Sequence, residues 1–359
     1  MSRIYNFSAG PAVLPEEVLL QAQADLVDYQ GSGMSIMEMS HRGKEYMAVH
    51  EEAMTNFRKL LNIGDDYSVL FLTGGASGQF AMIPMNLLGA GQVADYTNCG
   101  SWGKKAIKEA KGLGAVNVVS DTSKEKPSRM PKAGEITWTE GAAYAHITSN
   151  ETIEGSQWKS FPKTPSPLIA DMSSDILSRP LDVSSFGMIY AGAQKNIGPA
   201  GVTVVIMQKE LIEKGRPDIP AIYQYRIHDA EGSMYNTPPC FPIYMVMLVT
   251  RWLLAKGGLT AMQAINEAKA GRLYEAIDRT GFYRGTAAVE DRSTMNVTFR
   301  LPSEELEDAF IKEASKQGLK GLKGHRSVGG MRASIYNAFP GEGVDKLIAF
   351  MADFEARNG

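Results

Sequence analysis

Two charged residues at the ends of apolar runs carry the first chemical signal in this chain. Lys195 closes the run in MIYAGAQKNIGPAG, with glycines on both sides, and Asp171 closes the earlier run in PLIADMSSD. An ammonium brought to a strand tip among small residues suits imine formation with a carbonyl compound. A carboxylate on another strand tip suits a protonated pyridine nitrogen. One cofactor, pyridoxal phosphate (PLP), needs both groups from its protein. Either residue alone also reads as a surface charge at a strand end, so the surrounding motifs have to decide.

Several motifs bear on that decision. SVLFLTGGASGQF reads as strand, glycine-rich turn and helix, and Gly74, Gly75, Ala76, Ser77 and Gly78 place backbone N–H groups at a helix N-terminus. Such a terminus seats phosphate, although a plain tight turn needs the same glycines. No Lys-Ser/Thr pair follows, so this is not a P-loop, and no GxGxxG occupies a strand-to-helix turn. Trp102, in TNCGSWGKKA, offers a flat partner to a planar ring, and Thr152, in HITSNETIEG, offers a hydroxyl beyond another strand. His41 and Arg42 in MEMSHRGKEY, and His325, Arg326 and Arg332 in GLKGHRSVGGMRASIYNA, are His-Arg pairs in glycine-containing loops. Arginine's planar fork matches carboxylate or phosphate oxygens, so both pairs are candidate anion clamps.

The composition bounds what else the chain does. With 359 residues, 44% hydrophobic and 21% charged, it reads as an ordinary globular protein of about two domains. A formal net charge of −3 gives no invitation to nucleic acid or an anionic membrane. Two cysteines, Cys99 and Cys240, support no disulfide framework and fit a reducing compartment. The start, MSRIYNFSAGPAVLP, lacks the order of a signal peptide. IYMVMLVTRWLLA is too short to span a bilayer and contains Arg251, so it reads as a buried helix. A cytoplasmic protein without a metal site is expected.

Those residues need a scaffold. PEEVLLQAQADLVDYQ and EYMAVHEEAMTNFRKLLNI have helical spacing. From Tyr67 onward, short apolar runs (YSVLFLTGG, GQVADYT, AVNVVSD, AAYAHITSN, PLIADMSS, GMIYAGAQK, VTVVIMQ) alternate with helical segments such as GQFAMIPMNLL and WGKKAIKEAKGL. This alternation predicts an α/β fold: a mostly parallel sheet with helices on both faces, its ligand crevice at the C-terminal strand ends. Residues 219–242 read as loop and Ile243 to about Ile277 as a long helical region. MNVTFRL, SEELEDAFIKEASKQG and MRASIYN predict a smaller C-terminal α+β domain. The expected division is residues 1–15 packing with the small domain, 16–260 as the large domain and 261–359 as the small one.

Taken in order, NFSAGP, MSHR, FLTGGAS, GSW, ITSNETI, ADMSSDILSRP, YAGAQKNIGPAG, YNTPP and GHRSVGGMRASIYNA run from Asn6 to Ala338. The series resembles the phosphoserine aminotransferases, class V members of the fold-type I PLP-dependent enzymes. That resemblance implies that Lys195 forms the Schiff base with PLP, Asp171 pairs with the pyridinium nitrogen and Trp102 stacks on the ring. It implies that Ala76, Ser77 and Gln194 hold the cofactor phosphate and that Thr152 contacts the ring. Asn236 and Thr237, in YNTPP, would reach the cofactor phosphate of the other subunit, which makes the chain a homodimer. Arg332 would hold the substrate α-carboxylate, and His41, Arg42, His325 and Arg326 the distal anion, the first two crossing the dimer interface. Some relatives carry arginine where this chain has Ser77, so the distal site here has one cation fewer.

The implied reaction is a ping-pong transamination in serine biosynthesis. L-Glutamate gives up its amino group and leaves as 2-oxoglutarate, and 3-phosphohydroxypyruvate becomes O-phospho-L-serine. Whether 4-phosphohydroxythreonine of vitamin B6 synthesis is also used stays open. The nearest rivals are class V relatives: a cysteine desulfurase, which needs a nucleophilic cysteine on a mobile loop, and an alanine–glyoxylate-type aminotransferase, which has little use for a second His-Arg pair. A nicotinamide-dependent dehydrogenase would share the architecture but should show the glycine fingerprint. A silent PLP-binding protein would keep its colour on addition of glutamate.

Overall fold

The computed structural model describes residues 3–359. Its centre is a sheet of seven strands: β1 (Tyr67–Leu72), β2 (Val93–Asn98), β3 (Ala115–Asp121), β4 (Ala145–Thr148), β5 (Leu168–Asp171), β6 (Met188–Gly192) and β7 (Thr203–Gln208). Their spatial order is β1-β7-β6-β5-β4-β2-β3. All neighbours are parallel except at β7, which runs antiparallel to β1 and to β6. The expected mostly parallel sheet is therefore present, and β7 is its one reversal. Because β1 lies opposite in direction to β7, its C-terminal end falls on the same edge as those of the parallel strands.

The helices long enough to cover this sheet and the C-terminal region are α1 (Glu16–Ala24), α2 (Lys44–Leu61), α3 (Gly75–Leu87), α4 (Ser101–Lys111), α5 (Cys240–Ala255), α6 (Gly258–Asp278), α7 (Glu304–Lys316) and α8 (Gly341–Asn358). Side chains alternate between the two faces of each strand. Val69, Phe71, Ile189, Ala191, Val204 and Ile206 join one core with the apolar sides of α2 and α5. Their neighbours Leu70, Leu72, Met188, Tyr190, Val205 and Met207 join another with α3 and α4. Burying one such aliphatic or aromatic side chain contributes about 1.5–3 kcal/mol, so the two faces together fix the strand register strongly.

A further core lies toward the C-terminus. Phe299 of β9 (Asn296–Arg300) and Met331 of β10 (Met331–Ser334) meet Phe310, Leu347 and Phe354 there, and β8 (Arg284–Gly285) pairs with β9 at the edge. Phe7 belongs to this core, and Tyr5–Asn6 pairs parallel with Leu319–Lys320. At the start of α7, Ser303 Oγ accepts the Leu306 N–H at 3.3 Å, and Glu304, Glu305 and Glu307 sit at the positive end of the helix.

The structure departs from the sequence reading in a few places. The long helical region is two helices, α5 and α6, meeting at 85°. Gly257 makes that break, at φ 96° in the left-handed region. Residues 219–242 are not all loop, since Tyr225–Ala230 is helical. The Tyr5–Asn6 strand and α8 were not foreseen. No single helix among the described residues is long and apolar enough to cross a membrane. Residues 1 and 2 of the expected N-terminal segment lie outside the described residues.

Candidate active site

The chain reverses between β6 and β7, and Ala193 N closes the reversal by donating to Val202 O at 3.0 Å. Lys195 rides in that reversal, just past the tip of β6. Its Nζ donates to Thr152 Oγ1 at 2.7 Å and lies 4.6 Å from the centroid of the Trp102 indole. Burial pushes the amine down to about 8, while Asp171 and Glu151 favour the ammonium and oppose the shift. An amine so poised is a usable nucleophile near neutral pH.

Asp171 is the last residue of β5, in register with Thr148 on β4 and Tyr190 on β6. Its carboxylate accepts the Ser173 N–H at 2.9 Å. Burial raises this carboxyl above the usual range, with Lys195 and Ser173 pulling it back. A buried carboxyl in this position favours a cation beside it, which a protonated pyridine nitrogen is.

Beyond β1, the chain turns at Gly74, whose φ of 93° is left-handed, and α3 begins at Gly75. The helix ladder opens with Gly78 N donating to Gly74 O at 3.0 Å. The N–H groups of Ala76 and Ser77 therefore stand outside it, at the positive end of the helix dipole. Gln194, half-buried beside Lys195, accepts the Ala12 N–H on its backbone oxygen at 2.9 Å.

Arg332 comes from β10, opposite Thr298 of β9. Its Nη1 donates to Thr152 O at 3.4 Å, and its Nε is buried without a protein acceptor. His325 Nδ1 lies 2.7 Å from Ser327 Oγ. Burial, then the charges of Arg332 and Arg326, hold its imidazole below the usual range. Arg326 itself is exposed.

Direct contacts thus bring Lys195, Thr152, Trp102 and Arg332 together in one chain. His41, Arg42, Asn236 and Thr237 make no hydrogen bond to this group. His41 and the exposed Arg42 precede α2, and the exposed Asn236 and Thr237 precede α5. Asn236 shares the lining of a cavity of about 430 Å³ with Gly74 and Gly78, next to the glycine turn.

Sequence reasoning passed over two residues of the site. Glu151 Oε2 and Oε1 accept the N–H groups of Trp102 and Gly103 at 3.0 and 2.9 Å. Glu154 Oε1 accepts from Ser101 N at 3.0 Å and from Ser101 Oγ at 2.7 Å. Burial, then the neighbouring Glu154, raises the Glu151 carboxyl above the usual range, while the two amide donors favour its ionised form. The available signal was the Glu-x-x-Glu spacing around Thr152, which ordinarily reads as a solvated turn.

These residues fit PLP as a group: an amine at a strand tip, a buried carboxyl on the neighbouring strand, a helix N-terminus with free N–H groups and an indole facing the amine. The aminotransferase class-V family profile matches residues 4–347. The chain is 55% identical over 360 residues to a phosphoserine aminotransferase of Desulfosudis oleivorans, covering 99% of each protein. The chain belongs to the phosphoserine aminotransferase family. It is a PLP-dependent aminotransferase. The phosphoserine aminotransferase of Niallia circulans is 55% identical over 359 residues, again at 99% coverage of each. Among solved structures, the phosphoserine aminotransferase of Bacillus circulans subsp. alkalophilus superposes with a TM-score of 0.96 at 54% identity, covering 99% of both chains. A PLP-bound phosphoserine aminotransferase from Trichomonas vaginalis gives 0.94 at 42% identity, over 98% of this chain and 100% of that one. An alanine–glyoxylate aminotransferase from Nostoc, at 16% identity and a TM-score of 0.79 over 99% and 96% of the two chains, shares the fold alone.

Nor do the cysteines of this phosphoserine aminotransferase family member suit desulfuration. Cys99 is buried and its thiol is pushed up to about 12, first by burial. Cys240 opens helix α5, and burial raises its thiol as well. Both shifts disfavour the thiolate that nucleophilic attack needs.

Proposed function

We propose that this enzyme transfers the amino group of L-glutamate to 3-phosphohydroxypyruvate, releasing 2-oxoglutarate and O-phospho-L-serine in serine biosynthesis. The observation that carries the reading is the grouping of His325 and Arg326 with Arg332, which meets Lys195 at Thr152, because the amino and keto substrates alike carry an α-carboxylate and a second anion. Arg332, with its unpaired Nε, takes the α-carboxylate through a two-pronged contact. His325 and Arg326 take the distal phosphate or γ-carboxylate, helped by His41 and Arg42 of the second protomer. Two mobile-stemmed cations and two imidazoles suit anions of different shape better than one rigid fork.

When bound, PLP supplies an electron sink that makes the substrate's Cα–H acidic. Lys195 holds the cofactor and, once released, moves the proton from Cα as a general base and returns one as a general acid. Asp171 keeps the proton on the pyridine nitrogen, since an adjacent anion favours the charged form. Trp102 stacks on the ring, and Thr152 orients its substituent. Ala76, Ser77 and Gln194 hold the phosphate, completed by Asn236 and Thr237 from the second copy of a homodimer. The exposure of Asn236 and Thr237, and the place of Asn236 in the cavity beside the glycine turn, support that arrangement.

The domain division that goes with this function keeps residues 16–260 as the cofactor-binding unit and 261–359 as the small unit, with 1–15 packed on the latter. The place of Phe7 in the C-terminal core supports it. A cytoplasmic location fits two unbridged cysteines.

The test is rapid mixing of the PLP-loaded protein with amino acids while its visible spectrum is followed. O-Phospho-L-serine and L-glutamate should each bleach the bound cofactor, and L-serine should do so at least about 100-fold less efficiently. Equal responses to serine and phosphoserine contradict the proposal.

A further inference from the structure

We propose that Glu151 is a positioning residue for Trp102, acting through the first turn of α4. The inference rests on the reading above in which Trp102 stacks on the cofactor. Glu151 is fully buried, and its two carboxyl oxygens take the N–H groups of Trp102 and Gly103 at 3.0 and 2.9 Å. These are donors that a helix leaves unsatisfied at its start. A side chain at the residue just before the first turn commonly satisfies one of them, as Ser303 does for α7. In α4 that residue is Gly100, which has no side chain, and the acceptors come instead from the turn after β4.

Gly100 itself shows why. Its φ of 177° is ordinary extended backbone, so conformation does not demand glycine. Space does: a Cβ there would sit 2.6 Å from Glu154 Oε2 and 2.7 Å from Glu151 Cδ. The two glutamates occupy the volume that a capping side chain would fill. Glu154 serves Ser101 through N–H and O–H, while Glu151 serves Trp102 directly.

The same short turn reaches the other working groups. Thr152 lies between the two glutamates; its Oγ1 accepts from Lys195 at 2.7 Å and its carbonyl from Arg332 at 3.4 Å. The turn is itself pinned, since Asn150 Nδ2 donates to Ser174 Oγ at 2.8 Å and to Asn296 Oδ1 at 2.7 Å. Glu151 therefore sets the height and tilt of the indole relative to the amine, from a segment that also holds that amine. A carboxyl group is well matched to the task, because both of its oxygens accept here and their negative charge complements the positive end of α4. Glutamine keeps the shape but turns an NH2 toward an N–H, so it loses one of the two bonds.

The experiment is a double-mutant cycle of Glu151→Gln and Trp102→Ala, read as the PLP dissociation constant of the cofactor-free protein and the visible circular dichroism of bound PLP. E151Q alone should weaken PLP binding by about 10-fold and reduce the dichroic band. In the W102A background E151Q should change the dissociation constant by no more than about 2-fold, because the group it positions is gone. Gly100→Ala, which pushes the carboxyl groups off the amides, should reproduce the E151Q loss and serves the cycle if E151Q does not fold. An equal E151Q effect in both backgrounds overturns the inference while leaving the stacking of Trp102 intact. If W102A leaves PLP affinity unchanged, the stacking reading and the inference fall together.

Discussion

Lys195 Nζ donates to Thr152 Oγ1 across 2.7 Å, joining the reversal after β6 to the turn after β4. The bond fixes where the amine points before any ligand arrives. It also places that amine where burial, held in check by Asp171 and Glu151, brings its pKa down to about 8.

This sets a pH dependence for cofactor capture. Only the unprotonated amine attacks the PLP carbonyl, and its fraction grows as pH rises through the lowered value. The rate at which cofactor-free protein captures PLP should therefore climb about 5- to 10-fold between about pH 7 and 9 and then level off. Stopped-flow absorbance of the bound cofactor checks it. A rate that stays flat, or one still climbing steeply above about pH 10 as for an ordinary lysine, contradicts the placement.

Removing the Lys195 amine should abolish both covalent cofactor binding and turnover. Lys195→Ala and Lys195→Arg should both lose the visible band of covalently held PLP and at least about 1,000-fold in turnover, since neither side chain forms the imine or shuttles the proton. Absorbance and a coupled glutamate assay report the two losses separately. Near-normal turnover in either variant contradicts the role given to Lys195.

Arg332 and Arg326 should separate by substrate. Arg332→Ala should cut kcat/KM by about 100-fold for glutamate and for 3-phosphohydroxypyruvate alike, because both carry an α-carboxylate. Arg326→Ala should cost the phosphorylated substrate several-fold more than glutamate, because the phosphate carries more charge. Steady-state kinetics with each substrate varied in turn reads both ratios. Equal losses at Arg326 would show that it does not face the distal anion.

Much of the site was legible because its residues end apolar runs. The tips of β5 and β6 are visible as run-ends at Asp171 and near Lys195, and the glycine turn before α3 is visible as TGGAS. The alternation of Val69 and Phe71 against Leu70 and Leu72 marks a strand buried on both faces. The capping of α4 by Glu151 and Glu154 was not legible, because it joins positions about fifty apart and leaves no local pattern. The break at Gly257 did leave a local signal, since Lys256-Gly257-Gly258 is a helix-stop pattern, but the apolar spacing on either side reads as one helix and only packing gives the 85° turn. The same limit applies to Tyr5–Asn6, too short to show any period before Leu319–Lys320 gives it a partner.

Stability should depend on one buried lysine outside the site. Lys269 Nζ donates to the carbonyls of Ile335, Tyr336, Asn337 and Phe339 at 3.1, 2.7, 3.5 and 3.1 Å, on the segment that follows β10. Lys269→Met keeps the apolar stem and removes every donor from that group. It should destabilise the protein by about 3 kcal/mol, measured by the denaturant midpoint of the cofactor-free form. A change under about 1 kcal/mol would show that the carbonyls find other donors.

The central claim is that the enzyme aminates a phosphorylated keto acid. Steady-state turnover with saturating glutamate, comparing 3-phosphohydroxypyruvate with hydroxypyruvate, tests it most directly. The proposed distal cluster of His325, Arg326, His41 and Arg42 predicts a kcat/KM at least about 100-fold higher for the phosphorylated substrate. A ratio near one would contradict it.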